Sequence, residues 1–158
     1  MANATNLFIT FDLYGMHCWP DAPDECKDLR TVHEHRFGVR VKFPVSSEDR
    51  EYEFILVQRQ LCTSLNEIYS KELSLPFRKL YLQGSNSKNP TLCTYTRKTQ
   101  FDFQSRSCET LSNEIGQRFL SLFPGIEWCE VAVDEDGTHG AITMITREEK
   151  SDVGETQK

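Results

Sequence analysis

The sequence predicts an α+β domain in which four strands and two helices follow one another in the order β-β-α-(loop)-α-β-β. Two observations carry this. Apolar residues alternate with polar ones over residues 7–13 and again over 33–45, and residues two apart share one face of a strand. In two other segments the apolar residues recur at spacings of three and four, the period of a helix with one buried face.

Leu7, Ile9, Phe11 and Leu13 define the first strand, and His17 follows at the same parity beyond Gly15. Residues 18–26, with Pro20, Pro23 and the acids Asp21, Asp24 and Glu25, form a turn-rich loop. The second strand opens with His33-Glu34-His35. Both histidines share a face with Phe37, Val39, Val41, Phe43 and Val45, while Glu34, Arg36, Arg40 and Lys42 point the other way. Two strands joined by such a loop pair most simply as antiparallel neighbours, which sets His17 beside His33 and His35. After the break at 46–50, Phe54, Val57, Leu61, Leu65 and Ile68 mark the buried stripe of a first helix. Residues 83–90 are polar and turn-forming, hence a surface loop, and 92–103 has room for a short strand with Tyr95. Ser107 can cap a second helix, with Glu109 in its first turn, where negative charge is favoured. Leu111, Ile115, Phe119 and Leu122 form its stripe, and Pro124-Gly125 ends it. Residues 128–133 and 141–145 read as the last two strands, around the turn signal Asp136-Gly137. The charged residues from Arg147 onward predict a disordered tail, leaving one domain over 1–146 and the tail over 147–158.

Composition narrows the function classes. The chain has 158 residues, enough for one real core, with 38% hydrophobic and 27% charged residues. A net charge of −6 without a basic patch argues against a duplex nucleic-acid partner. No apolar run is long enough to span a bilayer and no signal peptide is evident, which points to a cytoplasmic protein with reduced thiols. The six cysteines form no C-x-x-C pair, so most read as small core residues, with Cys26 and Cys108 nearest the histidines. His33 and His35 alone would be ordinary strand histidines. Joined by His17, they become a candidate metal centre.

These residues, in this order, resemble the 6-pyruvoyl-tetrahydropterin synthase and 6-carboxytetrahydropterin synthase family. In that family a histidine-ended strand leads through a proline-containing loop to a His-x-His strand, matched here by His17, Trp19-Pro20 and His33-Glu34-His35. Glu53-Phe54 resembles the Asp-Phe that opens the family's first helix, and Ser107-Cys108-Glu109 the Thr-Ser-Glu that opens the second. Residues 131–135 resemble the strand whose terminal glutamate anchors a bicyclic heterocycle, with Gly140 at the family's spacing. The resemblance spans the chain to Ile145. It implies the tunnelling fold, a four-stranded antiparallel sheet with two helices on one face, and a homo-oligomer, trimer or hexamer.

The resemblance further implies that His17, His33 and His35 bind zinc, and three neutral imidazoles suit a catalytic zinc with an open fourth position. It implies that Glu135 holds the N–H and NH₂ edge of a pterin or purine, with Ser107, Cys108 and Glu109 beside it, a bidentate match for a carboxylate. Read without the family, Glu135 is a solvated turn carboxylate in the run Asp134-Glu135-Asp136. His139 reads as a surface residue with substrate contact left open. The family's cysteine four residues before the His-x-His is replaced by Leu29, and no histidine lies between His35 and His139 to supply the family's Asp-His pair. Cys26 or Glu34 would have to move protons. Two main readings follow: a zinc-dependent lyase acting on a pterin-like or 7-deazaguanine-precursor substrate, or a zinc-containing binding module for a purine- or pterin-like ligand. A third is the same scaffold without zinc.

Overall fold

The structure is a computed structural model that describes residues 4–46, 50–69 and 101–148. Residues 83–90, Tyr95, Cys93 and the tail beyond 148 lie outside these. The described elements are strands β1 (Thr5–His17) and β2 (His33–Val45), helix α1 (Phe54–Tyr69), strand β3 (Phe101–Gln104), helix α2 (Cys108–Leu122), and strands β4 (Trp128–Glu135) and β5 (His139–Thr146). A short 3-10 segment, Asp24–Arg30, lies between β1 and β2.

The fold is mixed α+β, as expected, but among the described residues its sheet has five strands rather than four, in the order β3-β1-β2-β4-β5. β1 and β2 pair antiparallel along their whole length, from Thr5 opposite Val45 to His17 opposite His33. β4 joins β2 antiparallel, with Glu135 opposite Phe37, and β5 folds back on β4. The additional strand, β3, runs parallel to β1 at its C-terminal end. Four residues are too few to display a period, although Phe101 and Phe103 are both buried as a strand requires.

One face of the sheet carries the core. Ile9, Phe11 and Leu13 of β1, the odd-numbered residues of β2 from Phe37 to Phe43, and Cys129, Val131 and Val133 of β4 pack against Leu61 and Leu65 of α1 and Leu111, Ile115 and Phe119 of α2. The stripe expected on α1 holds at Val57, Leu61 and Leu65, whereas Phe54 and Ile68 are about half exposed. Both occupy the correct side of the helix but lie in its first and last turns, which the described fold leaves uncovered. Tyr69 instead closes the stripe, its hydroxyl donating to Glu114 and its ring against Phe103.

Helix α2 begins where Ser107 caps it, the hydroxyl accepting from the Thr110 backbone N–H at 3.3 Å. Its other end is held by Arg147, where the charged tail was expected to begin. The guanidinium donates to the carbonyls of Leu120, Phe123 and Ile126 at 2.6–3.2 Å, satisfying acceptors that a helix end leaves open. On the opposite face of the sheet, Phe8, Ile142 and Met144 are exposed. No helix among the described residues is long and apolar enough to cross a membrane.

Candidate metal centre

The register of β1 and β2 builds the site. His17 is the cross-strand partner of His33, and His35 pairs with Gly15 two positions away, so all three imidazoles rise from the core side at one end of the sheet. Their ring centroids are 4.6, 4.9 and 5.3 Å apart, each pair edge to face. Phe37, next on the same face of β2, floors the cluster at 5.1 Å from His17 and 5.9 Å from His35. His17 is buried and the other two are half-buried.

The protons on these rings can be placed by chemistry. His17 donates from Nδ1 to the Arg106 carbonyl at 2.9 Å, and His33 from Nδ1 to the Thr31 carbonyl at 2.8 Å. A carbonyl only accepts, so Nδ1 must carry the hydrogen in both. His35 donates from Nδ1 to Asp136 Oδ2 at 2.6 Å. With all three Nδ1 atoms engaged, Nε2 is the nitrogen each ring has left to offer a metal ion. One ligand atom from each histidine lies within 4.8 Å of the other two. Three imidazole nitrogens gathered this closely are the donor set of a tetrahedral zinc with one position left over. Burial pushes the His17 pKa down, which keeps its lone pair available. The residues fit a divalent metal ion of the kind imidazole prefers, and their outer partners are those that orient metal-bound histidines.

Asp136 does more than its place in a turn suggested. Its φ is +54° and that of Gly137 +74°, the positive values a tight primed hairpin turn requires. That turn brings the Asp136 carboxylate back over β2, where it also accepts from the Arg36 backbone N–H at 3.0 Å. The hydrogen bonds from His35 and Arg36 hold its pKa below the ordinary carboxylate value.

Glu135 lies beside the triad. It has the same parity as Cys129, Val131 and Val133, so the end of β4 delivers it to the core side of the sheet. Its Oε1 is 3.4 Å from His17 Nε2, and its Oε2 is 3.7 Å from His35 Nε2 and 3.5 Å from His139 Nε2. Cys108, the first residue of α2, directs its thiol at Glu135 Oε1 over 3.8 Å. Burial, and then the nearby Glu135 charge, push the Cys108 pKa to about 12, so it remains a thiol. His139 is exposed at the rim, in contact with Glu135 on its outer side.

The other residues singled out from the sequence are more scattered. Ser107 serves the α2 cap, and Glu109 is exposed in the first turn of α2, its pKa lowered by the backbone there and by Ser107. Cys26 is exposed on the 3-10 segment. Glu34 stands between the two β2 histidines but on the other face of the strand, where it is exposed. Arg106 and Asp136 were not legible as site residues, because each reaches its histidine from about 90 or 100 positions away.

A curled α+β sheet with three histidines at one end defines a class of fold, and comparison with solved structures gives it a name. The chain covers 100% of the Plasmodium falciparum 6-pyruvoyl tetrahydropterin synthase with 92% of its own length, at 19% identity and a TM-score of 0.54. The Plasmodium vivax enzyme matches over the same shares at 14% identity and a TM-score of 0.53, and variants of it in which a catalytic glutamate is replaced by cysteine or alanine match similarly. This chain has the tunnelling fold of the 6-pyruvoyl tetrahydropterin synthases. By sequence, no family model and no curated protein matches it.

Proposed function

We propose that the protein is a divergent, zinc-dependent relative of the 6-pyruvoyl-tetrahydropterin and 6-carboxytetrahydropterin synthases, acting as a lyase on a pterin-like or 7-deazaguanine-precursor substrate. The observation that carries this reading is the shared fold with three imidazoles whose Nδ1 atoms are all engaged and which each bring a ligand atom within 4.8 Å of the other two. A zinc ion held by His17, His33 and His35 would supply Lewis acidity toward a carbonyl or hydroxyl of the substrate side chain. Glu135, once turned toward a ligand, offers two oxygens to the N–H and NH₂ edge of a pterin or purine ring. Ser107, Cys108 and Glu109 border that place from the start of α2, with the Cys108 thiol as a neutral donor. Cys26 and Glu34 are the proton carriers we assign. Glutamate has precedent in this fold, since the Plasmodium vivax enzyme has a catalytic one. The exposed Phe8, Ile142 and Met144, on the face of the sheet that no described helix covers, support a homo-oligomer that covers them, a trimer or hexamer.

A second reading is a zinc-containing binding module. The absence of any histidine between His35 and His139 favours it, as does the placement of Glu34 on the far side of β2. Elemental analysis of the purified protein and of His33→Ala tests the shared premise. About one zinc per chain, lost in the folded variant, supports both readings. Turnover of dihydroneopterin triphosphate or a related substrate then selects the lyase, and saturable binding without turnover selects the module. Zinc-free wild-type protein, or zinc unaffected by His33→Ala, sinks both.

A further inference from the structure

We propose that Glu135 is the fourth ligand of this centre in its resting state, so that the site is closed by protein until an incoming ligand displaces the carboxylate. The inference rests on the metal-centre reading above. It starts from where the Glu135 carboxylate stands against the imidazoles. Nδ1 of His17 is turned to the Arg106 carbonyl and Nδ1 of His35 to Asp136, which leaves Nε2 of both rings toward Glu135. The two Glu135 oxygens lie 3.4 and 3.7 Å from those nitrogens. The Glu135 side chain is only 18% exposed there, and a metal ion between the carboxylate and the imidazoles would offset the cost of burying its charge.

The shorter of the two separations is that of two ligands on one ion. Two ligands on a tetrahedral ion with bonds of about 2.0–2.1 Å stand about 3.3–3.4 Å apart. The Glu135 Oε1 to His17 Nε2 separation is 3.4 Å. The direction is set by the backbone, since β4 pairs Glu135 opposite Phe37, the residue two after His35 on the same face. The turn that follows then holds His35 through Asp136. One hairpin end thus supplies both a ligand and the carboxylate that orients another. A carboxylate released from the ion becomes free to hold the edge of a heterocycle, so ligand binding and opening of the centre are one event.

The test is Co²⁺ binding to the metal-free full chain, comparing wild type with Glu135→Gln and His33→Ala. Affinity is read by competition with a chromogenic chelator, and coordination by the visible Co²⁺ spectrum with and without azide. Loss of an orienting partner costs about 10–100-fold in affinity, so replacing a ligand by a neutral amide should cost about 100-fold or more. The wild-type spectrum should ignore azide, which finds no open position, and the Glu135→Gln spectrum should respond. Equal affinities of wild type and Glu135→Gln, with both spectra shifted by azide, overturn the proposal while leaving a three-histidine centre intact. If wild type binds no Co²⁺, or His33→Ala binds it equally well, the metal-centre reading itself fails and takes this one with it. Matching melting curves of the metal-free proteins exclude misfolding as the cause.

Discussion

Asp136→Asn is the most informative single change to the centre, because it leaves shape and removes one proton preference. In the wild type, Oδ1 of Asp136 accepts from the Arg36 N–H at 3.0 Å and Oδ2 accepts from His35 Nδ1 at 2.6 Å. Asparagine tolerates the positive φ of this position and has one oxygen and one NH₂. If the oxygen stays on Arg36, the NH₂ meets His35 Nδ1 and drives the imidazole proton to Nε2, the atom that must face the ion. If the amide flips, its NH₂ opposes the Arg36 N–H instead. The same loss of tautomer control disables a histidine when its aspartate becomes asparagine in the serine protease triad. Replacement of such orienting partners costs about 10–100-fold in metal affinity, or about 1.4–2.8 kcal/mol.

The assay is chelator competition on Asp136→Asn, Asp136→Ala and His35→Ala, each alone and the first combined with the last. Asparagine should weaken binding at least as much as alanine, although alanine, which loses the turn's carboxylate altogether, should unfold more easily. In the His35→Ala background the Asp136→Asn change should add nothing, because the ring it orients is gone. Wild-type affinity in Asp136→Asn, or an undiminished effect without His35, would refute the role assigned to Asp136.

Four further outcomes follow from the geometry. Arg147→Ala frees the carbonyls of Leu120, Phe123 and Ile126, and because Arg147 is exposed the loss in denaturant-measured stability should be about 1 kcal/mol, with lysine restoring part of it. Gly116→Ala places a Cβ 2.1 Å from Ile145 Cδ1 and 3.2 Å from Val131 Cγ2, so overpacking of about 1–3 kcal/mol should outweigh alanine's helix preference of about 1 kcal/mol; a stabilised variant would contradict this packing. In native protein at pH 8, mass-mapped alkylation should label exposed Cys26 and spare Cys108 and Cys129, whose pKa values burial pushes to about 12; equal labelling of Cys108 and Cys26 would count against that burial. In metal-free protein, the lowered His17 pKa means that the unfolded chain binds more protons, so its contribution is complete above pH 6.5 and declines as pH falls below that value; denaturant midpoints should show a slope there that His17→Gln flattens.

What the sequence made legible here is what side-chain alternation enforces. A strand cannot place His33 and Phe37 on different faces, so the parity of β2 and the antiparallel pairing with β1 put three histidines together without any tertiary information. Parity also governs Glu135, two residues beyond Val133, but the neighbouring Asp134 and Asp136 make the run look like a solvated turn. The structure separates the three acids by geometry. Glu135 follows the strand to the buried side, while Asp136 enters the turn, takes a positive φ and folds back onto His35. Neither contact has a sequence period, because each depends on where a hairpin end meets a strand about 100 residues earlier. The same holds for Arg106, whose backbone carbonyl fixes His17 while its guanidinium is tied to Glu114 at 2.8 Å. A backbone acceptor leaves no mark in residue identity. Motif matching therefore finds the atoms that bind an ion more readily than those that aim them. Substitutions at Asp136 and around Arg106 should then separate metal affinity from ligand identity, since the three histidines would remain in place while their orientation changes.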